Sequence, residues 1–192
     1  GRALAALPLH PRLAHMLTIA GDPAAPLAAL LAERDPLRGA SVDLNLRLAA
    51  VRDGRRFAAE HALMPHAGTV ERIRTEAKRL ATGRKGAPRS LGQMAALAYP
   101  DRIGLRRKGD APRWVLSGGK GVAMAPGDPM AGARLIVVTD TDGDPREATV
   151  RQAIAITGAD LRAVHGAAFT WQAVCTWSRR EGRIIARRQE CY

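Results

Sequence analysis

The sequence changes character near Tyr99-Pro100, and this change limits the possible folds more than any other feature. Before it, apolar residues recur at the three- and four-residue spacing of amphipathic helices, most clearly over residues 68–81. After it, short runs rich in valine, isoleucine and leucine are separated by glycine, proline and aspartate, which is typical of strands joined by turns. Helices followed by strands, without regular alternation, predict an α+β chain.

Local signals set the bounds of the predicted helices. Pro11 suits the first turn of a helix, and Gly21-Asp22-Pro23 ends it. Ser90 is a favourable N-cap, and a basic loop over residues 83–89 precedes it. One further helix is predicted to end near Leu7. The others cover 24–33, the stretch from Ser41 or Asp43 to Asp53-Gly54, 68–81 and 91–98.

The second half reads as short strands with one small helix. Strict alternation in residues 169–177 predicts one strand of a final hairpin, which turns at Glu181-Gly182 and returns over 183–188. This order favours a five-stranded OB-like β-barrel with a small helix between its third and fourth strands. We therefore predict a helical domain over residues 1–98 and a barrel over 99–192. The other strands are predicted at 113–116, 121–125, 134–139 and 148–156, and the helix at 158–164.

The chain is strongly basic. Its 192 residues include 30 lysines and arginines against 18 aspartates and glutamates, which gives a formal net charge of +12. A domain with so basic a composition is a candidate for binding a polyanion. The alternative is an arginine-rich composition whose charges are scattered over a solvated surface. Because both halves are basic, only the clustering of the cations can decide between the two.

Several classes of protein are excluded. No run of 18 apolar residues is present, so we expect no membrane span. No secretory signal pattern is present either. Two cysteines, Cys175 and Cys191, are too few for a disulfide scaffold or a four-cysteine zinc site. A reducing, cytoplasmic setting fits these features best.

Two motifs suggest ligand chemistry and fail on spacing. Residues 117–121, Ser-Gly-Gly-Lys-Gly, lack the earlier glycine and the final hydroxyl of a phosphate-binding P-loop, so a tight turn is expected. Residues 140–144 alternate aspartates like a calcium loop, but Pro145 and Arg151 stand where that loop needs glycine and glutamate. No catalytic triad or metal-ligand pattern is present, and we predict no catalytic or metal-binding residue.

The basic residues cluster most densely where the helices meet the barrel. Such a belt could follow a phosphate backbone, with Trp114 stacking on a base, or Trp114 could be a core residue of the barrel. A second cluster stands in the terminal hairpin and reads either as a binding surface or as a solvated strand pair: Arg179, Arg180, Arg183, Arg187 and Arg188. The predicted nucleic-acid-binding residues are Arg84, Lys85, Arg89, Arg102, Arg106, Arg107, Lys108, Trp114 and Lys120.

Two stretches carry a family resemblance. Residues 1–17 read GRALAALPLHPRLAHML, and residues 98–103, AYPDRI, precede the basic run Arg-Arg-Lys-Gly and the turn at 117–121. Together they resemble the C-terminal accessory region of the HrpB-type ATP-dependent DEAH RNA helicases of bacteria. That family has an Asn-Gly-x-Gly turn where this chain has Ser-Gly-Gly-Lys-Gly, which is a modest departure.

The resemblance implies a helicase-associated, ratchet-like helical domain followed by an OB-fold. In the family these domains close one side of a channel for single-stranded RNA, so we expect this chain to bind single-stranded RNA, or DNA, and to contact a RecA-like helicase core. ATP and magnesium are implied for that core alone, because neither a Walker A loop nor a DEAH-type box occurs in this chain. The alternative is a protein-interaction module whose basic barrel docks an acidic or regulatory partner.

Overall fold

The computed structural model describes residues 8–166 and the backbone of residues 170–178 and 183–191. Helices occupy the first half of the chain, and strands occupy most of the second half. None of the described helices has the length and apolar character needed to cross a bilayer. The predicted helix near Leu7 and the side chains of the terminal arginine cluster lie outside the described part of the chain.

The helices lie close to their predicted positions. They are α1 (Pro11–Ala20), α2 (Ala25–Ala32), α3 (Leu44–Arg52), α4 (Gly54–His61), α5 (Ala67–Leu80), α6 (Leu91–Ala98) and α7 (Gly158–His165). The strands are β1 (Ile103–Arg106), β2 (Arg113–Leu116), β3 (Gly121–Ala123), β4 (Leu135–Thr141), β5 (Ala148–Ala155), β6 (Thr170–Ser178) and β7 (Arg183–Cys191). Short 3₁₀ turns at Asp22–Ala24 and Pro100–Arg102 complete the framework.

Helix α4 was not predicted, because Asp53-Gly54 ends α3 and the next helix begins there without a loop. The backbone N–H of Asp53 donates to the carbonyl of Ala49 and so ends α3. The Asp53 carboxylate then accepts a hydrogen bond from the N–H of Arg56 and caps α4. Phe57 is the buried residue of α4, and it packs in a small cluster with Leu37 and Ala50. One aspartate therefore serves two consecutive helices.

Helix α6 begins with a reciprocal capping box. The Ser90 hydroxyl accepts from the N–H of Gln93, and the Gln93 side chain accepts from the N–H of Ser90. The Ser90 hydroxyl also donates to the Asp160 carboxylate at 2.9 Å, and the Gln93 amide donates to the Asp160 carbonyl. These contacts fasten the start of α6 to α7.

Replacing Ser90 by alanine should therefore lower the free energy of unfolding by about 1 kcal/mol, because an N-cap is lost. A urea titration followed by circular dichroism measures the change. Thr18→Ala is the matched control, since the Thr18 hydroxyl only donates back to the Ala14 carbonyl within α1 and its loss should cost little. Equal effects of the two substitutions would contradict the capping role.

Strands β1 to β5 form a closed barrel in the order β1-β2-β3-β5-β4. Neighbouring strands are antiparallel except β3 and β5, which are parallel. The predicted α+β fold with a five-stranded barrel is confirmed. Its strands differ in detail from the prediction, because β1 is an additional strand and α7 follows the fifth strand. The hairpin β6–β7 forms a separate two-stranded sheet.

Gly104 explains why β1 gives no alternating apolar signal. A Cβ atom at Gly104 would lie 3.2 Å from side-chain atoms of Trp114, Leu116 and Ile136. The glycine thus occupies a position facing the barrel interior, where three large side chains leave no room for another one. Because β1 supplies the fifth strand, the terminal hairpin is not part of the barrel, contrary to the prediction.

The barrel strands contribute to two apolar clusters. The cluster inside the barrel includes Trp114, Leu116, Val122, Ile136 and Val138. On the outside of the barrel, Ile103, Val137 and Ile154 pack in a larger cluster with residues of the helices. This larger cluster contains residues from both sides of position 98. The division into a helical domain and a barrel domain stays a prediction.

Candidate nucleic-acid interface

The basic loop between α5 and α6 is fixed against the turn that follows α1. The carboxylate of Asp22 accepts hydrogen bonds from the backbone N–H groups of Thr82 at 3.1 Å, Gly83 at 2.7 Å and Arg84 at 3.2 Å. The backbone N–H of Asp22 donates in return to the carbonyl of Arg84 at 2.9 Å. A segment without helix or strand is therefore held by four hydrogen bonds to one residue.

Three predicted site residues stand in or beside this loop, and they differ in what they can bind. Arg89 is half-buried, and its guanidinium donates to the carbonyls of Ile19 and Ala87. Arg84 and Lys85 are exposed, and within the described part of the chain their side chains form no hydrogen bond or ion pair. The loop thus presents two cations to solvent and uses the third to fasten itself.

In the turn between β1 and β2, one cation is likewise bound within the protein and two are exposed. The Arg106 guanidinium donates to the carbonyls of Ala131 at 2.9 Å and Gly109 at 3.1 Å and lies 5.9 Å from the ring centroid of Trp114. Arg106 therefore closes its own turn. Arg107 and Lys108 are exposed, and their side chains have no partner among the described residues. These two are the cations that the turn offers to a ligand.

Trp114 belongs to the barrel core. Its side chain is 0% exposed, and its indole N–H donates to the carbonyl of Ala133 at 2.9 Å. Of the two alternatives that the sequence left open, the structure selects the core residue. A base cannot stack on an indole that is enclosed by barrel side chains.

A third group of predicted residues lies at the other end of β2. Arg102 is half-buried, donates to the Thr139 carbonyl and lies 5.3 Å from the Tyr99 ring centroid. Arg12 also lies over Tyr99 and pairs with Asp101, and the hydrogen bond from Arg12 lowers the pKa of the Asp101 carboxyl below its ordinary value. Lys120 is exposed in the nearby turn.

The turn at 117–121 is a tight connection between β2 and β3, as predicted. The backbone N–H groups of Ser117, Gly118 and Gly119 donate to the carbonyls of Ile103, Asp101 and Leu116. They are therefore used within the protein and cannot form the cradle of N–H groups that a phosphate-binding loop needs. Among the described residues, no group of three histidine, cysteine or carboxylate side chains could hold a metal ion.

The predicted basic belt is thus divided among three places. The turn with Arg107 and the turn with Lys120 stand at opposite ends of β2, which places them roughly 13 Å apart for a four-residue strand. The loop between α5 and α6 contacts the C-terminal end of α1, while Arg102 lies near its N-terminal end beside Arg12. Of the predicted site residues, five are exposed cations whose side chains form no hydrogen bond or ion pair within the described part of the chain: Arg84, Lys85, Arg107, Lys108 and Lys120.

A groove of about 1090 Å³ lies where the helices meet the barrel, and the sequence did not predict it. It runs between α1, α2, α5 and the end of β4. Its charges largely cancel, because Arg72 pairs with Glu33 and Arg79 pairs with Glu76. The lining side chains come from four elements that are distant in sequence, and no local pattern could bring them together. The free cations of the surface lie outside this lining.

The fold and this surface define a helical bundle joined to a closed five-stranded barrel that displays unpaired cations. By structure, the chain is similar to the Escherichia coli DExH-box NTPase HrpB, with a TM-score of 0.66 and 22% identity over 94% of this chain and 21% of that chain. A second structure, the Escherichia coli DEAH/RHA helicase HrpB, matches with a TM-score of 0.61 and 23% identity over 93% of this chain and 21% of that chain.

The chain spans 21% of the length of these HrpB structures. The structural likeness confirms, at the level of the fold, the resemblance that residues 1–17 and 98–122 predicted. No protein-family model matches the sequence, and no curated protein matches it.

Proposed function

We propose that this chain is the accessory region of a DEAH-type helicase and that it binds single-stranded nucleic acid, RNA or DNA. The observation that carries the proposal is the likeness of fold to HrpB over 94% of the chain. The net charge of +12 and the five predicted site residues that are exposed cations without a described partner support it, because contacts to phosphates supply most of the affinity for a single strand.

In this proposal the chain binds the nucleic-acid strand, and a RecA-like core of the longer protein drives its movement. ATP and magnesium bind to that core, and this chain hydrolyses no ATP. The cations of the loop and of the β1–β2 turn hold the sugar-phosphate backbone without reading the bases, so they form one wall of a channel through which the core moves the strand. The setting of this activity is the cytoplasm.

The exposed pair Arg107 and Lys108 tests the proposal. The 192-residue chain should bind a fluorescently labelled oligouridylate at low salt, and replacing both residues by alanine should make the logarithmic salt slope shallower by about 1.4. If each cation neutralises one phosphate, losing both phosphate contacts makes the affinity at 0.1 M salt roughly 25-fold weaker. Fluorescence anisotropy over a series of salt concentrations measures both quantities.

The matched control removes two arginines from another surface. Arg55 and Arg56 are exposed on α4, and Arg56 pairs with Glu60 at 2.7 Å, so Arg55→Ala with Arg56→Ala should leave the salt slope nearly unchanged. A deoxyuridylate of the same length measures the preference for RNA. Failure of the unaltered chain to bind either oligonucleotide at low salt would contradict the proposed function.

A further inference from the structure

Two backbone segments cross at a pair of glycines. Gly21 has a φ of +69°, in the region that favours glycine, and a Cβ atom there would lie 2.7 Å from the carbonyl oxygen of Arg84. A Cβ atom on Gly86 would lie 1.9 Å from the carbonyl oxygen of Ala20. The end of α1 and the basic loop therefore touch backbone to backbone, and only glycine fits at either position.

Asp22 fastens this crossing with its carboxylate. Three consecutive backbone N–H groups of the loop, those of Thr82, Gly83 and Arg84, point at its two oxygens. Desolvation raises the pKa of Asp22, but these hydrogen bonds, with the charge of Arg84, outweigh it and hold the pKa below its ordinary value. The carboxylate is therefore ionised at neutral pH and remains a strong acceptor.

The loop needs such a restraint because its own sequence supplies none. Residues 82–86 read Thr-Gly-Arg-Lys-Gly, form no helix or strand, and carry the two exposed cations Arg84 and Lys85 between two glycines. Glycine has the largest conformational freedom of any residue, so a free loop of this composition would lose much entropy on binding. The contacts from Asp22 remove that cost before a ligand arrives.

We propose that Asp22 is a positioning residue for nucleic-acid binding, because its carboxylate fixes residues 82–86 in the conformation that presents Arg84 and Lys85 to a phosphate backbone. This inference rests on the proposed function and adds to it a residue that does not itself touch the ligand. It also assigns a role to an acidic residue within a cationic surface, where the charge alone is unfavourable for a polyanion.

Electrostatics and positioning predict opposite signs for the same substitution. Asp22→Asn removes a negative charge next to Arg84, so an effect of charge alone would tighten the binding of RNA. Positioning predicts the reverse, because an asparagine side chain cannot satisfy the three N–H groups as a carboxylate does. The direction of the change in affinity therefore separates the two explanations.

The experiment measures binding of the 192-residue chain to labelled oligouridylate at fixed low salt. Asp22→Asn should weaken binding roughly tenfold, because about one residue of backbone must be ordered when the ligand binds. The salt slope should not change, because the same cations still contact the phosphates. Trypsin should also cut the variant faster after Arg84 and Lys85, and mass spectrometry of the products reports the released loop. Circular dichroism confirms that the variant is folded.

A second variant disturbs the loop without changing any charge. Gly86→Ala forces the loop away from the Ala20 carbonyl and should weaken binding in the same direction. Asp142→Asn is the matched control, because the Asp142 carboxylate accepts backbone N–H groups of Asp144 and Thr149 in the β4–β5 turn, away from the basic loop. Asp142→Asn changes the net charge by the same amount as Asp22→Asn and should not weaken binding.

The outcomes separate this inference from the proposed function. Loss of affinity in Arg84→Ala with Lys85→Ala, combined with unchanged or tighter binding by Asp22→Asn, would overturn the positioning role and leave the proposed function intact. Unchanged affinity in Arg84→Ala with Lys85→Ala would also overturn the role, since the loop would then not contact the strand. Absence of binding by the unaltered chain would contradict the proposed function itself.

Discussion

Replacing Trp114 by alanine should lower the free energy of unfolding by about 3–5 kcal/mol. The indole is 0% exposed in the barrel interior, so its removal leaves a cavity among Leu116, Val122 and Ile136 that the closed barrel cannot collapse to fill. The substitution also leaves the carbonyl of Ala133 without its indole donor. Urea unfolding followed by circular dichroism measures the loss.

Two further variants make this result specific. Leu105→Ala removes a large apolar side chain from the same barrel, but Leu105 is 51% exposed on β1, so the loss of stability should be much smaller. Trp114→Phe keeps most of the buried volume and should remain folded, with oligonucleotide affinity unchanged. Weaker binding by a stable Trp114→Phe variant would contradict the core role, because it would require contact between the ring and a base.

Sequence signals succeeded where the determinant is local. Ser90 and Gln93 fix the start of α6 within one turn, and Pro11 does the same for α1. The strand predicted at residues 113–116 lies at those residues as β2. The Gly-rich turn at 117–121 could likewise be assigned from its spacing. Each of these features depends on residues that are at most a few positions apart.

The features that the sequence did not predict depend on contacts between residues that are distant in sequence. Gly104 pairs with Leu116 of β2 and Ile136 of β4, and the side chain of Trp114 fills the space beside it. Arg106 looks identical in sequence to its neighbour Arg107, but its guanidinium reaches the carbonyl of Ala131 and is no longer available to a ligand. A cluster of cations in the sequence therefore overestimates the cations that a surface can offer.

The role of Asp22 also could not be predicted from local sequence. Asp22 stands about sixty positions before the loop that it restrains, and its role becomes visible only when Thr82 and Arg84 are placed beside it. Sequence could identify the loop as basic and flexible in composition. It could not show that the loop is held in place by hydrogen bonds to Asp22.

A second large effect is expected at Arg47 of α3, which is 1% exposed and binds the connection between α2 and α3. Its guanidinium makes two hydrogen bonds of 2.9 Å to the carboxylate of Asp35. The remaining donors go to the backbone carbonyls of Leu37, Ser41 and Asp43. Arg47→Met should lower the free energy of unfolding at neutral pH by about 3–5 kcal/mol, because it removes the ion pair from a partly buried carboxylate and the arginine donors from three carbonyls.

The pH dependence of that loss identifies its cause. Burial raises the pKa of Asp35, but the hydrogen bonds from Arg47 and Leu37 outweigh it, so the folded pKa lies below the unfolded value of about 3.9. The ion pair therefore stabilises the fold above about pH 4, and this contribution is lost as the pH falls through the lowered folded pKa. In Arg47→Met the guanidinium no longer offsets burial, so the folded pKa of Asp35 rises and protonation relieves the variant as the pH falls towards the unfolded value.

The difference in stability between the unaltered chain and Arg47→Met should accordingly narrow as the pH is lowered from 7 to about 3. Urea titrations at several pH values measure it. Arg56→Met is the control, because the Arg56–Glu60 pair is exposed and its loss should not shift the urea midpoint at any pH. A difference that stayed constant down to pH 3 would attribute the loss to packing of the arginine stem, and the ion pair with Asp35 would then carry none of it.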